Sequence, residues 1–345
     1  MEKLLTIVIP AYNMEKYLHR CLDSIIVESV MDRVQVIVAN DGSKDRTSEI
    51  AHEYEHKYPN YIQVVDKENG NYGSCMNVGL SLAKGKYFRT LDADDWYDKP
   101  SFEMFVNQLK DSDADVLVCE RFHSYEGTAK QELKKFEGNL VLNKDIEITK
   151  ELWNNKSVLY MTHVSSVVYK TDIIRKSGLV WDEKVFYSDN EYLTWPIPFL
   201  KTIRLVALPV YVYLLGRGGQ SMDPRVMQRN FSSRFTVTKS IVKHFTETEV
   251  PDNLKPYLFK VIKMSLFEKF YISLITDGLK NQAEIDEIEA IIKDNQPLLN
   301  LSAEIDNYRN LRYVEAYRNN RLKYRLIRFD YLLRSNLFLR KLFGK

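Results

Sequence analysis

The chain has little cysteine. Cys21, Cys75 and Cys119 are odd in number and widely scattered among 345 residues. This pattern excludes a disulfide framework and a thiolate zinc site, and it points to a reducing compartment. Long apolar runs are missing too. The longest, Leu205 to Leu215, is broken by Pro209 and is too short to cross a bilayer as a helix. No secretory leader is expected, because Glu2 and Lys3 lead straight into a short strand ended by Pro10. The chain therefore reads as one made and kept in the cytosol. Neither sign of charge dominates: 49 Lys and Arg stand against 47 Asp and Glu, a net charge of +2 that names no partner. The balance hides an asymmetry, since residues 309–345 hold eleven Lys and Arg against Glu315 and Asp330, which leaves the remainder about seven negative.

What is present is an apolar share of 45%, enough for a real core, in a length that suits one large domain plus a smaller one or two of ordinary size. Leu4 to Ile9 and Val34 to Ala39 are unbroken apolar runs, the pattern of strands covered on both faces. Each is followed by a polar loop and a helical pattern. Leu18, Cys21, Leu22, Ile25 and Ile26 fall at helical spacing behind Asn13, which can cap a helix running to about Ser29. A second helix is expected from about Asp45 to Tyr58, and a third strand from Tyr61 to Val65. A segment rich in glycine and amides, Asp66 to Ser74, then precedes a helix at about Cys75 to Ala83. Such a loop can present backbone N–H groups to an anion, although it can equally be a plain turn. It is not a P-loop, and no Gly-x-Gly-x-x-Gly follows the first strand. Strand and helix alternating in this way build a parallel sheet whose ligands gather at the carboxyl ends of the strands.

The fourth strand ends in Leu91-Asp92-Ala93-Asp94-Asp95-Trp96. Carboxylates cannot be buried unpaired, so the chain must leave the core near Asp92. Residues two apart in extended chain point the same way, which puts Asp92 and Asp94 on one face and Asp95 on the other. Two convergent carboxylates repel unless a cation sits between them, and a hard divalent ion, Mn²⁺ or Mg²⁺, suits their oxygens. An acidic turn capping the helix at about Ser101 to Lys110 would present the same residues.

Four polar loops thus follow four strands: Ala11 to Glu15, Asp41 to Ser43, Asn69 to Ser74 and Asp92 to Asp95. Taken together, Ile9-Pro10-Ala11-Tyr12-Asn13, Asn40-Asp41-Gly42-Ser43-Lys44-Asp45, the Asn69 to Asn77 segment, and Gly85-Lys86-Tyr87-Phe88 through Trp96 resemble glycosyltransferase family 2 in order and spacing. The resemblance covers about the first 120 residues. It implies an α/β fold of the GT-A type, a Rossmann-like, mostly parallel sheet flanked by helices; the helical, charged pattern further on adds a mainly helical C-terminal domain. It further implies an inverting enzyme whose donor is a nucleotide sugar, usually a UDP-sugar. Ala11, Tyr12 and Asp41 would hold the base, Asp92 the ribose and Asp94 the metal on the diphosphate. Pro10, Asn13, Glu15, Asn69, Gly73, Asn77 and Ala93 would complete the donor site. One departure is Met76, where many members have an arginine, so a phosphate contact must come from elsewhere or from the metal.

Past Arg121 the sequence is polar to Ser157 and suggests only a hairpin or a loop near the acceptor. Thr162 to Tyr169 reads as a strand and Asp172 to Lys176 as a short helix. In Phe186-Tyr187-Ser188-Asp189-Asn190-Glu191 the carboxylates lie among aromatics. The family resemblance implies that Asp189 is the catalytic base, although Ser188 stands where a glutamate is common; Glu191 is the second candidate. Both acids also suit a helix start. A strand from Ile203 to Leu215 leads into Gly216-Arg217-Gly218-Gly219-Gln220-Ser221, where Arg217 can close over a diphosphate or simply lie in a linker.

The division expected is 1–220 for the GT-A domain, with a nucleotide-sugar half at 1–120 and an acceptor half at 121–220, then 221–345. Helices are expected at about Arg225 to Phe245, Lys255 to Ile275, Ala283 to Lys293 and from Ile305 to the end. There Leu322, Leu326, Phe329 and Leu333 form a stripe, with Arg321, Arg325, Arg328 and Arg334 off it. Such a helix can meet the inner face of the plasma membrane, join copies in a homo-oligomer, or pack on its own domain. No nucleic-acid module accompanies it. The expected partners are thus a nucleotide-sugar donor and a glycan, lipid-linked or glycoprotein acceptor. A sugar nucleotidyltransferase and a non-catalytic partner of another transferase are the alternatives, the first disfavoured by the lack of a basic glycine-rich loop after the first strand.

Overall fold

The structure, a computed structural model, describes residues 2–218, 220, 230–263, 271, 282–303 and 312–335. The chain divides into two compact units, Met1–Asn230 with Val250–Pro256, and Phe231–Glu249 with Tyr257–Lys345.

The first unit is α/β. Its opening segment runs β1 (Leu5–Ala11), α1 (Leu18–Ile25), β2 (Val34–Asn40), α2 (Thr47–Lys57), β3 (Ile62–Asp66), α3 (Asn71–Leu82) and β4 (Tyr87–Thr90). These four strands pair in parallel in the order β3-β2-β1-β4. All seven residues of β2 are buried, the result of cover on both faces, so its apolar run shows no alternation. Gly85 lets β4 enter beside β1: a Cβ there would lie 2.4 Å from the Thr6 nitrogen.

Next come β5 (Trp96–Tyr97), α4 (Lys99–Gln108), β6 (Val116–Tyr125), β7 (Gln131–Lys134), β8 (Asp145–Glu147), α5 (Lys156–Met161), β9 (Val167–Lys170), α6 (Thr171–Lys176), α7 (Asp189–Thr194) and β10 (Thr202–Leu215). The sheet continues β4-β9-β6-β10-β5, with β7 on β6 and β8 on β10. β9 is antiparallel to both neighbours, and β6 and β10 are parallel to one another. The sheet is therefore mixed, parallel where the first four strands pair. The hairpin expected after Arg121 is formed by β6 and β7.

Several local expectations are corrected. Asn13 does not cap α1: its φ is +54° and its side-chain oxygen accepts the Lys44 N–H, so the helix starts at Leu18 and stops at Ile25. Helix α3 begins at Asn71, a turn earlier than Cys75, and takes Gly73 out of the loop. Strand β9 begins only at Val167, because Ser166 and Val167 donate back to the His163 carbonyl in a turn.

From residue 231 on, the described residues form α8 (Phe231–Glu247), α9 (Lys255–Val261), α10 (Gln282–Lys293), α11 (Gln296–Ala303), α12 (Tyr313–Asn319) and α13 (Arg321–Ser335). Within the second unit, Arg318 donates two hydrogen bonds to Glu289, at 2.6 and 2.8 Å, and joins α12 to α10. Residues 225–229, 264–270, 272–275, 305–311 and 336–345 of the expected helices lie outside the described residues, as do Gly219 and Ser221. Among the described residues no helix is long and apolar enough to cross a membrane.

Candidate functional site

The carboxyl ends of β1, β2, β3 and β4 open on one cavity of about 680 Å³, a size that suits a small-molecule ligand. Its walls include Pro10, Ala11, Tyr12 and Asn13 from the first loop, Asp41 from the second, Asn69 from the third, and Asp92, Ala93 and Asp94 from the fourth. The first two loops are stitched together. Asn13 N–H donates to Ser43 Oγ at 3.0 Å and Met14 N–H to Thr47 Oγ1 at 2.6 Å. Glu15 N–H donates to Asp45 Oδ2 at 3.1 Å, and the Glu15 carboxylate accepts the Arg46 N–H at 3.0 Å. Tyr12 lines the cavity and is left 45% exposed.

Asp41 is buried and held from the third loop. Lys67 Nζ donates to its Oδ1 at 2.7 Å, and Gly70 N–H donates to the same oxygen at 2.9 Å. Lys67 also reaches Ser74 Oγ at 2.7 Å, fixing the start of α3.

The acid cluster splits as strand geometry requires. Asp92 and Asp94 both line the cavity, whereas Asp95 turns inward. Asp95 accepts hydrogen bonds from Tyr211 Oη at 2.6 Å and Leu214 N–H at 2.7 Å, and so ties the turn to β10. Burial, followed by the charges of Asp94 and Asp92, pushes the Asp95 carboxyl well above its ordinary range. The same Tyr211 hydroxyl accepts the Asp92 N–H at 3.1 Å. Arg20 donates to the Asp94 carbonyl at 2.8 Å and lies over the Trp96 ring at 3.8 Å. The Asp94 carboxylate receives Arg217 Nε at 2.7 Å. Asp92 is raised to about 7, mostly by burial and then by Asp94 and Asp189, with Arg217 acting the other way. Among the described residues no group of three or more His, Cys, Asp or Glu gathers here, so protein oxygens for a hard dication would come from Asp92 and Asp94, which line the open cavity together.

A smaller cavity of about 180 Å³ shares Asn71, Tyr72, Asp92 and Phe186 with the first, and adds Val164, Val185, Tyr187 and Asp189. Asp189 thus lines a cavity together with Asp92. Glu191, by contrast, is fully buried and accepts the Asp182 N–H at 2.9 Å. Two positions along α7 is a turn of about 200°, so the two acids leave opposite sides of the helix.

Three other expected residues do not line the large cavity. Glu15 is occupied at the loop junction described above. Asn77 holds the segment before α7: its Nδ2 donates to the Trp181 carbonyl and to Glu183 Oε1, each at 3.0 Å, and its Oδ1 accepts the Trp181 N–H at 2.9 Å. Gly73 gives that segment room, since a Cβ would lie 2.1 Å from the Asp182 carbonyl oxygen. Met76 is fully buried in the core, and Arg217 is the one cationic side chain among the described residues lining the cavity. Sequence reading missed Arg20, Lys67, Tyr211 and Tyr213. Tyr213 lines the cavity with its ring against His123 and His163, at 5.8 and 5.6 Å.

Residues 6–175 match the model of glycosyl transferase family 2. The chain belongs to glycosyl transferase family 2 through these residues. Within the family it is 26% identical over 214 residues to the uncharacterized glycosyltransferase EpsJ of Bacillus subtilis (strain 168), which covers 62% of this chain and 61% of EpsJ. To the minor teichoic acid biosynthesis protein GgaB of the same organism it is 27% identical over 297 residues, 84% of this chain and 32% of GgaB. The chain therefore spans less than two thirds of the length of either relative. Among solved structures, TarS 1–349 of S. aureus in complex with UDP-GlcNAc superposes with a TM-score of 0.67 at 17% identity, over 97% of this chain and 93% of that one. That likeness is one of fold, and it agrees with a GT-A sheet followed by a helical region.

Proposed function

We propose that the chain is an inverting, metal-dependent glycosyltransferase. It moves a hexose or N-acetylhexosamine from a UDP-sugar to a hydroxyl of a glycan, lipid-linked or protein-linked acceptor, in cell-surface polysaccharide or glycoprotein glycan synthesis at the cytoplasmic side. One observation carries the reading: Tyr12, Asp41, Asp92, Asp94 and Arg217 line a single cavity, and Asp189 lines a second that shares Asp92 with it. The complex of TarS with UDP-GlcNAc, on the same fold, supports the donor class, and the teichoic acid role in GgaB's name supports a cell-surface product.

In this reading Tyr12 and Asp41 receive the base, the ring by stacking and the carboxylate by accepting from its N–H. Pro10, Ala11, Asn13, Asn69 and Ala93 shape the slot around it. Asp92 accepts from the donor's hydroxyls. Arg217 donates to the diphosphate, the contact that Met76 cannot make. The donor set at Asp94, with Asp92 beside it, fits Mn²⁺ or Mg²⁺, which when bound supplies positive charge against the departing diphosphate.

Asp189 removes the proton of the acceptor hydroxyl as its oxygen forms a bond to the anomeric carbon. The bond from that carbon to the diphosphate oxygen breaks on the opposite face, its electrons leave with UDP, and the anomeric configuration inverts. No covalent nucleophile is needed. The two cavities hold donor and acceptor in line, which removes much of the entropic part of the barrier.

Product release from a panel of UDP-sugars, with and without Mn²⁺, tests the reading. Asp189→Asn should lower turnover by about 10²–10⁴-fold with donor affinity retained. Full turnover in Asp189→Asn would reject Asp189 as the base.

A further inference from the structure

Helix α13 has two apolar faces. Tyr324 and Ile327 are 2% and 4% exposed and pack into the second unit, with Tyr324 edge-on to Tyr317 at 5.4 Å. Leu322, Leu326 and Phe329 are 70%, 62% and 63% exposed. At 100° per residue these three fall within an arc of about 60° on the side away from Tyr324 and Ile327. Three large apolar side chains in one exposed strip on a helix is a pattern that ordinary solvent-facing helices avoid.

The strip is bordered by cations. Arg321, Lys323 and Arg325 are exposed and Arg328 is half-buried, whereas the one acid of the helix up to Tyr331 is Asp330. Charge chooses the occupant. A second copy docking through the same strip would place these cations opposite their own images, because a two-fold contact is self-complementary. A strip three side chains long also falls far short of the roughly 800 Å² that each partner of a stable dimer buries. An anionic bilayer surface meets both features: its interface takes in Leu, Leu and Phe, and its headgroups pair with Arg and Lys. We propose that α13 binds this protein to anionic membrane surfaces through Leu322, Leu326 and Phe329, steered by Arg321, Lys323 and Arg325. The proposal stands independently of the sugar or acceptor used.

Flotation of the full chain with vesicles tests it. Vesicles of phosphatidylglycerol and phosphatidylcholine in equal parts should carry the protein up, and vesicles of phosphatidylcholine alone should not. Raising the salt to about 0.5 M should weaken the binding, as screening requires. The triple variant Leu322→Ser, Leu326→Ser, Phe329→Ser should lose at least tenfold in partitioning. All three side chains are exposed, so its melting temperature should match that of the unaltered protein. The charge variant Arg321→Glu, Arg325→Glu should lose binding similarly and provides a second reading should the first variant melt early. Equal binding to both vesicle types, binding unchanged in both variants, or no binding at all would overturn the proposal. So would sedimentation showing a dimer that the triple variant dissolves, since the strip would then belong to a second copy.

Discussion

Arg217 Nε donates to Asp94 Oδ2 at 2.7 Å, which joins the loop after β10 to the turn after β4. Both side chains are largely shielded, at 18% and 11% exposure. The guanidinium therefore sits on the oxygen that the proposed dication would use, and the two would compete for it. Freed from Asp94, the same guanidinium is within the cavity that would receive a diphosphate. Arg217→Ala should then have opposite effects on two ligands. Mn²⁺ alone, followed by the paramagnetic signal of the free ion, should bind several-fold more tightly. UDP in the presence of Mn²⁺ should bind about tenfold or more weakly, in line with the ~1.5–3 kcal/mol of a charged hydrogen bond. Unchanged affinity for both would separate Arg217 from the site.

Tyr211 is the hub of the acidic turn, because its hydroxyl donates to Asp95 and accepts from the Asp92 N–H. Removing it leaves a buried carboxylate one donor short. Tyr211→Phe should cost about 1–3 kcal/mol and lower the melting temperature by several degrees. UDP affinity should fall with it, since Asp92 and Asp94 hang from the same turn. Tyr97 is the contrast. Its hydroxyl is buried with no hydrogen-bond partner among the described residues, so Tyr97→Phe should be neutral or slightly stabilising. Equal losses in thermal melts of both variants would contradict this assignment.

A pH dependence of stability follows from His52, whose Nε2 meets Asp66 Oδ2 at 2.7 Å and whose Nδ1 meets Glu55 Oε2 at 2.8 Å. Hydrogen bonding to Asp66 and then to Glu55 raises its pKa above the ordinary 6.5. A histidine raised on folding adds stability that is complete below the unfolded pKa and is lost as pH climbs through the folded value. Asp66, lowered by Asn40 and His52 against the effect of burial, contributes in the opposite limb, losing its share as acid is added. The penalty of His52→Gln in urea unfolding should thus be larger at about pH 6 than at about pH 9. The groups are partly exposed, so the difference should be modest and should shrink with salt. A penalty that grows with pH would contradict the pairing.

Much of the first unit was legible because its strands are covered on both faces. Leu5–Ala11 and Val34–Asn40 could then be placed from unbroken apolar runs, and alternation with helices placed their loops on one rim. The alternation rule likewise separated Asp92 and Asp94 from Asp95. What escaped depended on partners far along the chain. Asn13 looked like a helix cap because local pattern could not show a bond to the Lys44 N–H. Tyr211 meets Asp92 across 119 positions, and Lys67 meets Asp41 across 26, with nothing in either local sequence to mark the pairing. Asn77 and Gly73 stood in the right motif, yet each serves the Trp181–Glu183 segment by side-chain contact or by lack of a side chain. Glu191 differs from Asp189 only by the turn of a helix too short to show a periodicity.

In the proposed site Asp94 anchors the cation on which a UDP diphosphate is held at the carboxyl ends of the sheet. Calorimetric titration of UDP with Mn²⁺ into the unaltered chain and into Asp94→Asn tests that role. Binding by the unaltered chain should weaken at least about tenfold on removal of Mn²⁺ by chelator, and Asp94→Asn should show a comparable loss whether or not Mn²⁺ is present. Equal, metal-dependent affinity in the two proteins would contradict it.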